Sequence, residues 1–264
     1  MKKARFGGPS SFSEKNGHWG VSAGGSTGSR VHRVSASPCQ GVKCSRSKKA
    51  HASHLGALLF GMLLDRLTAA CTSVLPDATV IVTGSLALGD YQPGKSDVDL
   101  LVLSDAPTDG LVEAVEQAWS QEPGEFDLRV VRYAVAARPR RRPHLALGIS
   151  RYRDRFEVER DTEEAELVVE FSVCRQLGRS DVIGPVPDKW VDEVGAAVLT
   201  SWKTVGDDAP DRELMALTAC RIWRFREERV HCSKPAAAQW ARERGARVAY
   251  DDAAVRTLLD RASS

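Results

Sequence analysis

The stretch TGSLALGDYQPGKSDVDLLVL, residues 83–103, sets two aspartates one residue apart at the start of an apolar run. Alternate residues of a β-strand project from the same side, so Asp97 and Asp99 face one way while the apolar residues between and after them face the core. Carboxylates this close repel each other, and a fold that keeps both ionised usually supplies a cation between them. Mg²⁺ takes oxygen ligands and commonly bridges nucleotide phosphates. The stretch therefore predicts a magnesium site at the start of a buried strand.

The Gly-Ser pair near the start of the same stretch suits an anion. Gly84 lets the backbone approach a phosphate closely, and Ser85 offers a hydroxyl and an amide at the start of a helical turn, where N–H groups point outward. Asp90 follows this turn and is interpreted as a loop residue that makes local hydrogen bonds. The sequence thus predicts that a phosphate and its counter-ion share one site.

A third acidic residue occurs in FDLRVVRYAVA, residues 126–136, which alternates well enough to be a strand. Asp127 faces away from the apolar residues on either side of it, where it would bind the metal or take the proton from an attacking hydroxyl group. A surface ion pair between Asp127 and Arg129 explains the same pattern. The residues alone leave both interpretations open.

The spacing of these motifs resembles the signature of the polymerase-β-like nucleotidyltransferase superfamily. The Gly-Ser pair is followed by eleven residues, then by Asp-hydrophobic-Asp and an apolar strand. In that superfamily the Gly-Ser turn holds a nucleoside triphosphate, and the acidic pair with a third acid on a later strand holds Mg²⁺. The resemblance implies that Asp97, Asp99 and Asp127 are metal ligands and catalytic residues, and that Gly84 and Ser85 bind ATP together with the acidic pair.

The periodicity of the chain predicts an α+β protein in two parts. A mixed sheet with helices is expected over residues 55–140, which the resemblance implies is the nucleotidyltransferase domain, and an all-helical domain, for which a substrate-binding role is expected, over residues 141–264. The run RPRRRP, residues 138–143, marks the expected boundary, beyond which every segment is interpreted as helical. The first domain is expected to hold a core helix from Leu55 to Cys71, strands at 79–82, from 97 and from 126, and a helix over 108–120. The second is expected to hold an Asp161–Glu164 capping box, an apolar helix face from Leu167 to Leu177, and helices over 188–202, 211–229, 235–244 and 252–261.

Charge is distributed unevenly along the chain. Residues 1–54 carry ten Lys or Arg and one Glu, whereas residues 55–264 carry 27 basic and 34 acidic residues. The basic leader is rich in Gly and Ser, and we expect it to be disordered. The acidic remainder is a poor host for nucleic acid and a suitable one for a cationic small molecule. No secretory signal and no long uncharged apolar run are found, so a cytoplasmic protein without a membrane partner is expected. We also expect a monomer.

The C-terminal half resembles a narrower family, the aminoglycoside O-adenylyltransferases that modify streptomycin and spectinomycin. The resemblance is carried by DVIGPVPDKW (181–190), SWKTVGDDAPDRELMALTACRIW (201–223) and SKPAAAQWARER (233–244). Position by position, it implies that the antibiotic is held between the domains by Trp202, Asp207 and Asp211. It also implies that Arg221 and Lys234 reach the ATP phosphates, and that Asp127 stands at the position of the catalytic base, which is usually Glu.

The same residues have ordinary interpretations. Arg221 shares a helical stripe with apolar side chains, where a buried salt bridge explains a guanidinium as well as a phosphate does. Trp202 would be a core aromatic residue, and Asp211 is well placed to cap the helix that follows. Leu214 occupies a place where the family often has His. A tryptophan that streptomycin-modifying members carry early in the helical domain also has no counterpart near residues 147–152, and these departures leave spectinomycin better supported than streptomycin.

The sequence therefore predicts an enzyme, an aminoglycoside nucleotidyltransferase. The reaction is the Mg²⁺-dependent transfer of AMP from ATP to a hydroxyl of an aminoglycoside or aminocyclitol, which would confer antibiotic resistance. One alternative keeps the chemistry and changes the acceptor to a protein or RNA. Another is a degenerate protein that only binds nucleotide, which the survival of all three acids disfavours.

Overall fold

The computed structural model describes residues 50–264 apart from 93–94, 122–123, 153–154 and 205–210, with side chains from residue 62 onward. Over these residues the chain forms a five-stranded mixed sheet followed by helices, which confirms the α+β prediction. The basic leader expected over residues 1–54 falls almost entirely outside the described part.

The strands occupy the sheet in the order in which they occur in the chain. They are β1 (Thr79–Val82), β2 (Val98–Leu103), β3 (Phe126–Val131), β4 (His144–Tyr152) and β5 (Arg155–Glu163). β2 and β3 are parallel, while the other neighbouring pairs are antiparallel. A parallel pair needs a crossover, which helix α3 (Leu111–Gln121) supplies, so both strands start at the same edge. The register then places Asp99 directly beside Asp127.

Helices cover both faces of the sheet. One face packs against α1 (Ala50–Val74) and α3, in a core that includes Leu67, Leu100 and Leu128. The other face packs against α4 (Tyr133–Ala137) and α5 (Leu167–Gln176), in a core that includes Leu101 and Phe171. Neighbouring residues of β2 thus lie in different cores, because side chains alternate across a strand. This explains why β2 is apolar along most of its length.

A further core follows the sheet in the chain. It is formed mainly by α6 (Asp188–Thr204), α7 (Arg212–Glu228), α8 (Lys234–Glu243) and α9 (Asp252–Ser263). Side-chain oxygens of Asp211, Ser233 and Asp251 accept backbone hydrogen bonds at the starts of the last three helices, which confirms the predicted cap at Asp211. None of the described helices combines the length and the apolar character needed to cross a membrane.

The prediction that every segment after Pro143 is helical is wrong. β4 and β5 form an antiparallel hairpin that continues the sheet to Glu163, and the next helix begins at Leu167. β4 is buried along most of its length, so its apolar run shows no two-residue alternation. β5 has Phe156 and Val158 on alternate positions, but charged residues dominate it and hide the strand pattern.

Two smaller predictions are also corrected. Asp161 does not begin a capping box, since it lies within β5 with a φ of 49° and the N-cap of the next helix is Glu166. The strand expected over residues 126–136 ends at Val131, and the five residues Tyr133–Ala137 form a short helix.

Candidate active site

The Gly-Ser turn lies against the acidic strand. Gly84 begins helix α2 (Gly84–Ala87) with a φ of +61°, and the Thr83 N–H donates to the Asp99 carbonyl oxygen at 2.9 Å. A Cβ atom on Gly84 would lie 1.7 Å from Asp99 Oδ2. Glycine is therefore needed twice, for the left-handed backbone conformation and for the close approach of the carboxylate. The hydroxyl of Ser85 is buried and has no hydrogen-bond partner among the described residues, as a phosphate-binding group requires.

Residues from the sheet and the helices enclose a pocket around this turn, which we call the turn pocket. Its lining includes Gly84, Ser85, Asp90, Asp97, Asp99, Glu170, Arg221 and Lys234. The structure thus brings together all six residues that were predicted to bind ATP. Carboxylates and cations line the same cavity, an arrangement suited to a phosphate chain with a divalent counter-ion.

Arg221 reaches the turn pocket from α7. Burial lowers the pKa of Arg221, while the charges of Asp90 and Asp99 act in the opposite direction. Among the residues that the structure describes, Arg221 makes no ion pair. The buried salt bridge that offered the ordinary interpretation is therefore not formed within this part of the chain, and an anion in the pocket would satisfy the guanidinium.

Asp90 makes a long-range contact that the sequence did not suggest. Its Oδ2 accepts from the backbone N–H of Lys234 at 3.2 Å, across 144 residues, while its Oδ1 is buried without a hydrogen-bond partner in the described residues. This contact joins the loop after α2 to the start of α8. No local signal could have revealed it, because a loop aspartate with local hydrogen bonds has the same sequence pattern.

The predicted metal ligands are neighbours, but they are not assembled as one cluster. Asp97 and Asp99 line the turn pocket, whereas Asp127 lines a second pocket and bonds to Arg129 at 3.3 Å. In the described part of the chain, no group of three or more His, Cys, Asp or Glu side chains is placed to hold a metal ion. Two carboxylates still fit Mg²⁺, which proteins commonly hold through one or two carboxylates plus substrate phosphates. The geometry therefore favours Asp97 and Asp99 as metal ligands and leaves Asp127 for the acceptor side.

Arg129 lies at the centre of a buried group of acids, which we call the Arg129 cluster. Its guanidinium bonds to Asp127 and Glu164 at 3.3 and 3.1 Å, bonds closely to Glu170, and lies 4.0 Å from Glu166. Burial would lower the pKa of Arg129, but these four carboxylates hold it well above its ordinary value. The predicted ion pair between Asp127 and Arg129 exists, yet it is buried rather than on the surface, with only 6% and 8% of the two residues exposed.

Glu170 is a site residue that the sequence reasoning missed. It projects from α5 into both pockets. The pKa of Glu170 is raised to about 8, mainly by burial; the charge of Arg129 lowers it, and the charges of Asp127, Glu164 and Asp99 add to the rise. A single charged residue within the mainly apolar run LVVEFSVC, residues 167–174, was the available signal.

Glu170→Gln is expected to change how stability depends on pH. The pKa of Glu170 is about 8 in the folded chain and about 4.5 when exposed, so the folded state keeps a proton that the unfolded state releases between these values. In the wild type, the stability that this proton contributes to the folded state is fully present below pH 4.5 and is lost as the pH rises through about 8. By pH 8 to 9 the wild type should have lost on the order of 4 kcal/mol of the stability that it has near pH 4.5, and the variant should not show this loss.

Thermal melts from pH 5 to 9 without divalent metal would measure this effect. Glu163→Gln is the matched control, since the Glu163 side chain is 65% exposed and, among the described residues, forms an ion pair only with Arg142, at 3.8 Å. Parallel stability profiles for wild type and Glu170→Gln would contradict the assignment of this proton to Glu170.

The second pocket lies between the sheet and the helices, and we call it the helical pocket. It encloses about 330 Å³, within the range of small-molecule sites, and it shares Val169, Glu170, Arg221 and Lys234 with the turn pocket. Trp202 lines it and is only 7% exposed, but its indole N–H has no hydrogen-bond partner in the described residues. A buried N–H without a partner is a candidate donor to a ligand.

His231 closes another part of the helical pocket. Its ring stacks on Phe225 with centroids 4.5 Å apart, and its Nε2 lies 2.8 Å from the Ser172 hydroxyl. Burial, with the nearby charge of Arg221, lowers the pKa of His231 to about 4. The imidazole is therefore neutral at physiological pH and contributes a packed wall rather than a charge.

The three residues predicted to hold the acceptor have different outcomes. Trp202 lines the helical pocket. Asp211 is an exposed helix cap whose Oδ1 accepts from the Glu213 N–H at 2.7 Å, and it does not line that pocket. Asp207 lies outside the described residues.

Comparisons with known proteins support the fold described above. Residues 64–192 match the family model described as a nucleotidyltransferase domain. The chain carries a nucleotidyltransferase domain. The matched segment contains all five strands and every member of the Arg129 cluster, so the site described above lies largely within this domain.

One solved structure has a similar fold over most of both chains. It is the spectinomycin adenyltransferase AAD(9) from Enterococcus faecialis with ATP and spectinomycin, with a TM-score of 0.59 and 13% identity over 79% of this chain and 99% of that chain. At this identity the likeness shows the fold alone.

More distant matches include the STING-associated CdnE c-di-GMP synthase from Capnocytophaga granulosa, with a TM-score of 0.32 and 14% identity over 80% of each chain. They also include the Cid1 poly(U) polymerase, with a TM-score of 0.29 and 16% identity over 69% of this chain and 53% of that chain. No curated protein matches the chain.

Proposed function

We propose that the chain transfers AMP from ATP, with Mg²⁺, to a hydroxyl group of an aminoglycoside or aminocyclitol antibiotic and so confers resistance. Spectinomycin is the first candidate acceptor and streptomycin the second. One observation carries the proposal: Asp99 in the turn pocket and Asp127 in the helical pocket are side by side on paired strands, and the two pockets share a wall. Such a junction lets a nucleotide on one side meet an acceptor on the other.

The turn pocket supplies the groups that a triphosphate needs. The Gly84-Ser85 turn offers backbone N–H groups and a hydroxyl without a partner in the described chain, and Arg221 and Lys234 supply positive charge. When bound, Mg²⁺ neutralises charge on the phosphate oxygens, and Asp97 and Asp99 would hold it. Cations and donors in a buried pocket stabilise charge that develops during transfer.

The helical pocket supplies the base and the acceptor site. Asp127 would take the proton from the acceptor hydroxyl as its oxygen attacks the α-phosphorus, and the bond from that phosphorus to the bridging oxygen would break to release pyrophosphate. Glu166, whose side chain is 45% exposed beside the pocket, and the buried Trp202 indole suit an acceptor that carries both ammonium and hydroxyl groups. We propose further that the chain acts as a monomer.

Pyrophosphate release is the direct test of this proposal. The full chain would be incubated with ATP and Mg²⁺ and a panel of spectinomycin, streptomycin and other aminoglycosides, with an uncharged polyol as the control acceptor. We expect release with at least one antibiotic, a product heavier by one AMP, and no release with the polyol.

Two results would count against the antibiotic acceptor. Release that requires a protein or RNA would keep the chemistry and replace the substrate. ATP binding by calorimetry without release in any mixture would indicate a protein that only binds nucleotide.

A further inference from the structure

Asp127, the proposed base, has a charged neighbour on the same face of β3. Arg129, two residues later, projects from the same side of the strand, and both are buried among the residues that line the helical pocket. The bond between them is 3.3 Å from the guanidinium to Asp127 Oδ2. An arginine in this place would neutralise a buried acid in any fold, so the contact alone assigns it no role in the reaction.

The other partners of Arg129 come from outside β3. Glu164 belongs to the connection between β5 and α5, and its Oε1 lies 3.1 Å from the guanidinium. Glu170 belongs to α5 and bonds to the other terminal nitrogen. Because the guanidinium is planar with donors in a fixed fork, bonds to these two acids leave it one orientation, and that orientation meets Asp127.

We propose that Arg129 is a positioning residue for Asp127: anchored by Glu164 and Glu170, its guanidinium holds the Asp127 carboxylate at the junction of the two pockets. This inference rests on the proposed function, in which Asp127 accepts the proton of the acceptor hydroxyl. Because Glu164 and Glu170 also bond to the guanidinium, the positive charge of Arg129 does not neutralise Asp127 alone. Misplacing such a group by about 1 Å is enough to cost on the order of a hundredfold in rate.

A purely structural role for Arg129 would have different consequences. It would lower thermal stability without a specific effect on the transfer step. The chain offers a matched control in Arg179, which is 7% exposed, bonds to Asp181 at 3.4 Å and lines neither pocket. Arg129→Lys and Arg179→Lys both place a lysine at a buried arginine site, so a shared loss of stability can be separated from an effect on catalysis.

The test compares kcat, KM and the melting temperature of these two variants with wild type. We expect Arg129→Lys to lower kcat about a hundredfold with KM for ATP changed less than about threefold, and Arg179→Lys to keep kcat. A kcat for Arg129→Lys within about twofold of wild type, or a loss confined to KM, would overturn the inference.

If Arg129→Lys folds poorly, Glu164→Gln provides a second test of the positioning role of Arg129. Glu164 anchors the guanidinium but lines neither pocket, so we expect it to affect transfer through Arg129. We expect Glu164→Gln to lower kcat by roughly five- to tenfold, because one of the two anchors of Arg129 is lost. Glu163→Gln, at the exposed neighbouring position, should leave kcat unchanged. Equal rates in the two variants would contradict the anchoring role of Glu164.

A crystal structure of Arg129→Gln separates failure of this inference from failure of the proposed function. We expect the Asp127 carboxylate to rotate away from its wild-type position while the register of Asp99 with Asp127 is kept. An unmoved carboxylate would overturn the positioning role even if the wild type transfers AMP. A rotated carboxylate in a protein that transfers AMP to no acceptor would sustain the role of Arg129 and defeat the proposed function.

Discussion

Asp99→Asn is expected to lower the rate of nucleotidyl transfer by about three orders of magnitude or more while the fold persists. The amide cannot supply the negative charge that would hold Mg²⁺ in the turn pocket, and it places an uncharged group where Gly84 approaches the strand. Stability should be kept or slightly raised, because the substitution removes repulsion between Asp97 and Asp99.

Transfer rates at several Mg²⁺ concentrations, together with thermal melts, would measure this effect. Asp97→Asn should behave alike, and the double variant should lose little more than either single one, because ligands of one ion act as a unit. Asp109→Asn, at an exposed position before α3, is the control and should keep full activity. An Asp99→Asn variant that transfers AMP at the wild-type rate would refute the role of this strand.

The parts of the site that could be predicted from the sequence are those with short-range signals. Gly84, Ser85, Asp97 and Asp99 lie within one stretch of residues, and the alternation of a buried strand fixes which side the acids face. Helix caps are equally local, which is why Asp211 could be assigned to the start of α7. Such features depend on neighbours a few residues away, so the chain itself specifies them.

The Arg129 cluster could not be predicted in the same way. Glu170 follows Arg129 by 41 residues, and their contact depends on how α5 packs on the far face of the sheet. The same holds for Asp90, whose partner Lys234 belongs to the last part of the chain. Sequence patterns give the side of an element on which a charge lies, but not which distant charge it meets.

The β4–β5 hairpin was missed for a different reason. Its signals were local, but they were ambiguous, since a short apolar run in a fully buried strand has the same composition as a buried helix segment. The consequence for the site was direct. With the sheet thought to end near residue 140, nothing suggested that Glu164, just after β5, would bond to Arg129 on β3.

Gly84→Ala is expected to be the most damaging change that leaves every charge in place. A methyl group at this position would lie 1.7 Å from Asp99 Oδ2, so either the turn or the carboxylate must move. Either movement separates the phosphate-binding turn from the acidic pair, and we expect transfer to fall by about a hundredfold or more, with a higher Mg²⁺ concentration needed for half-maximal rate.

Gly89→Ala is the matched control, and it isolates the contact from the backbone strain. Gly89 also has a positive φ, +78° against +61° for Gly84, but a Cβ there would meet no atom within 4 Å. Both variants should lose about 1 to 2 kcal/mol of stability from the left-handed conformation, and only Gly84→Ala should lose transfer. If the two variants lost stability and activity to the same extent, strain alone would explain Gly84, and the contact between turn and carboxylate would have no catalytic importance. If Gly84→Ala alone is inactive, the position of the Asp99 carboxylate against the turn is what transfer requires.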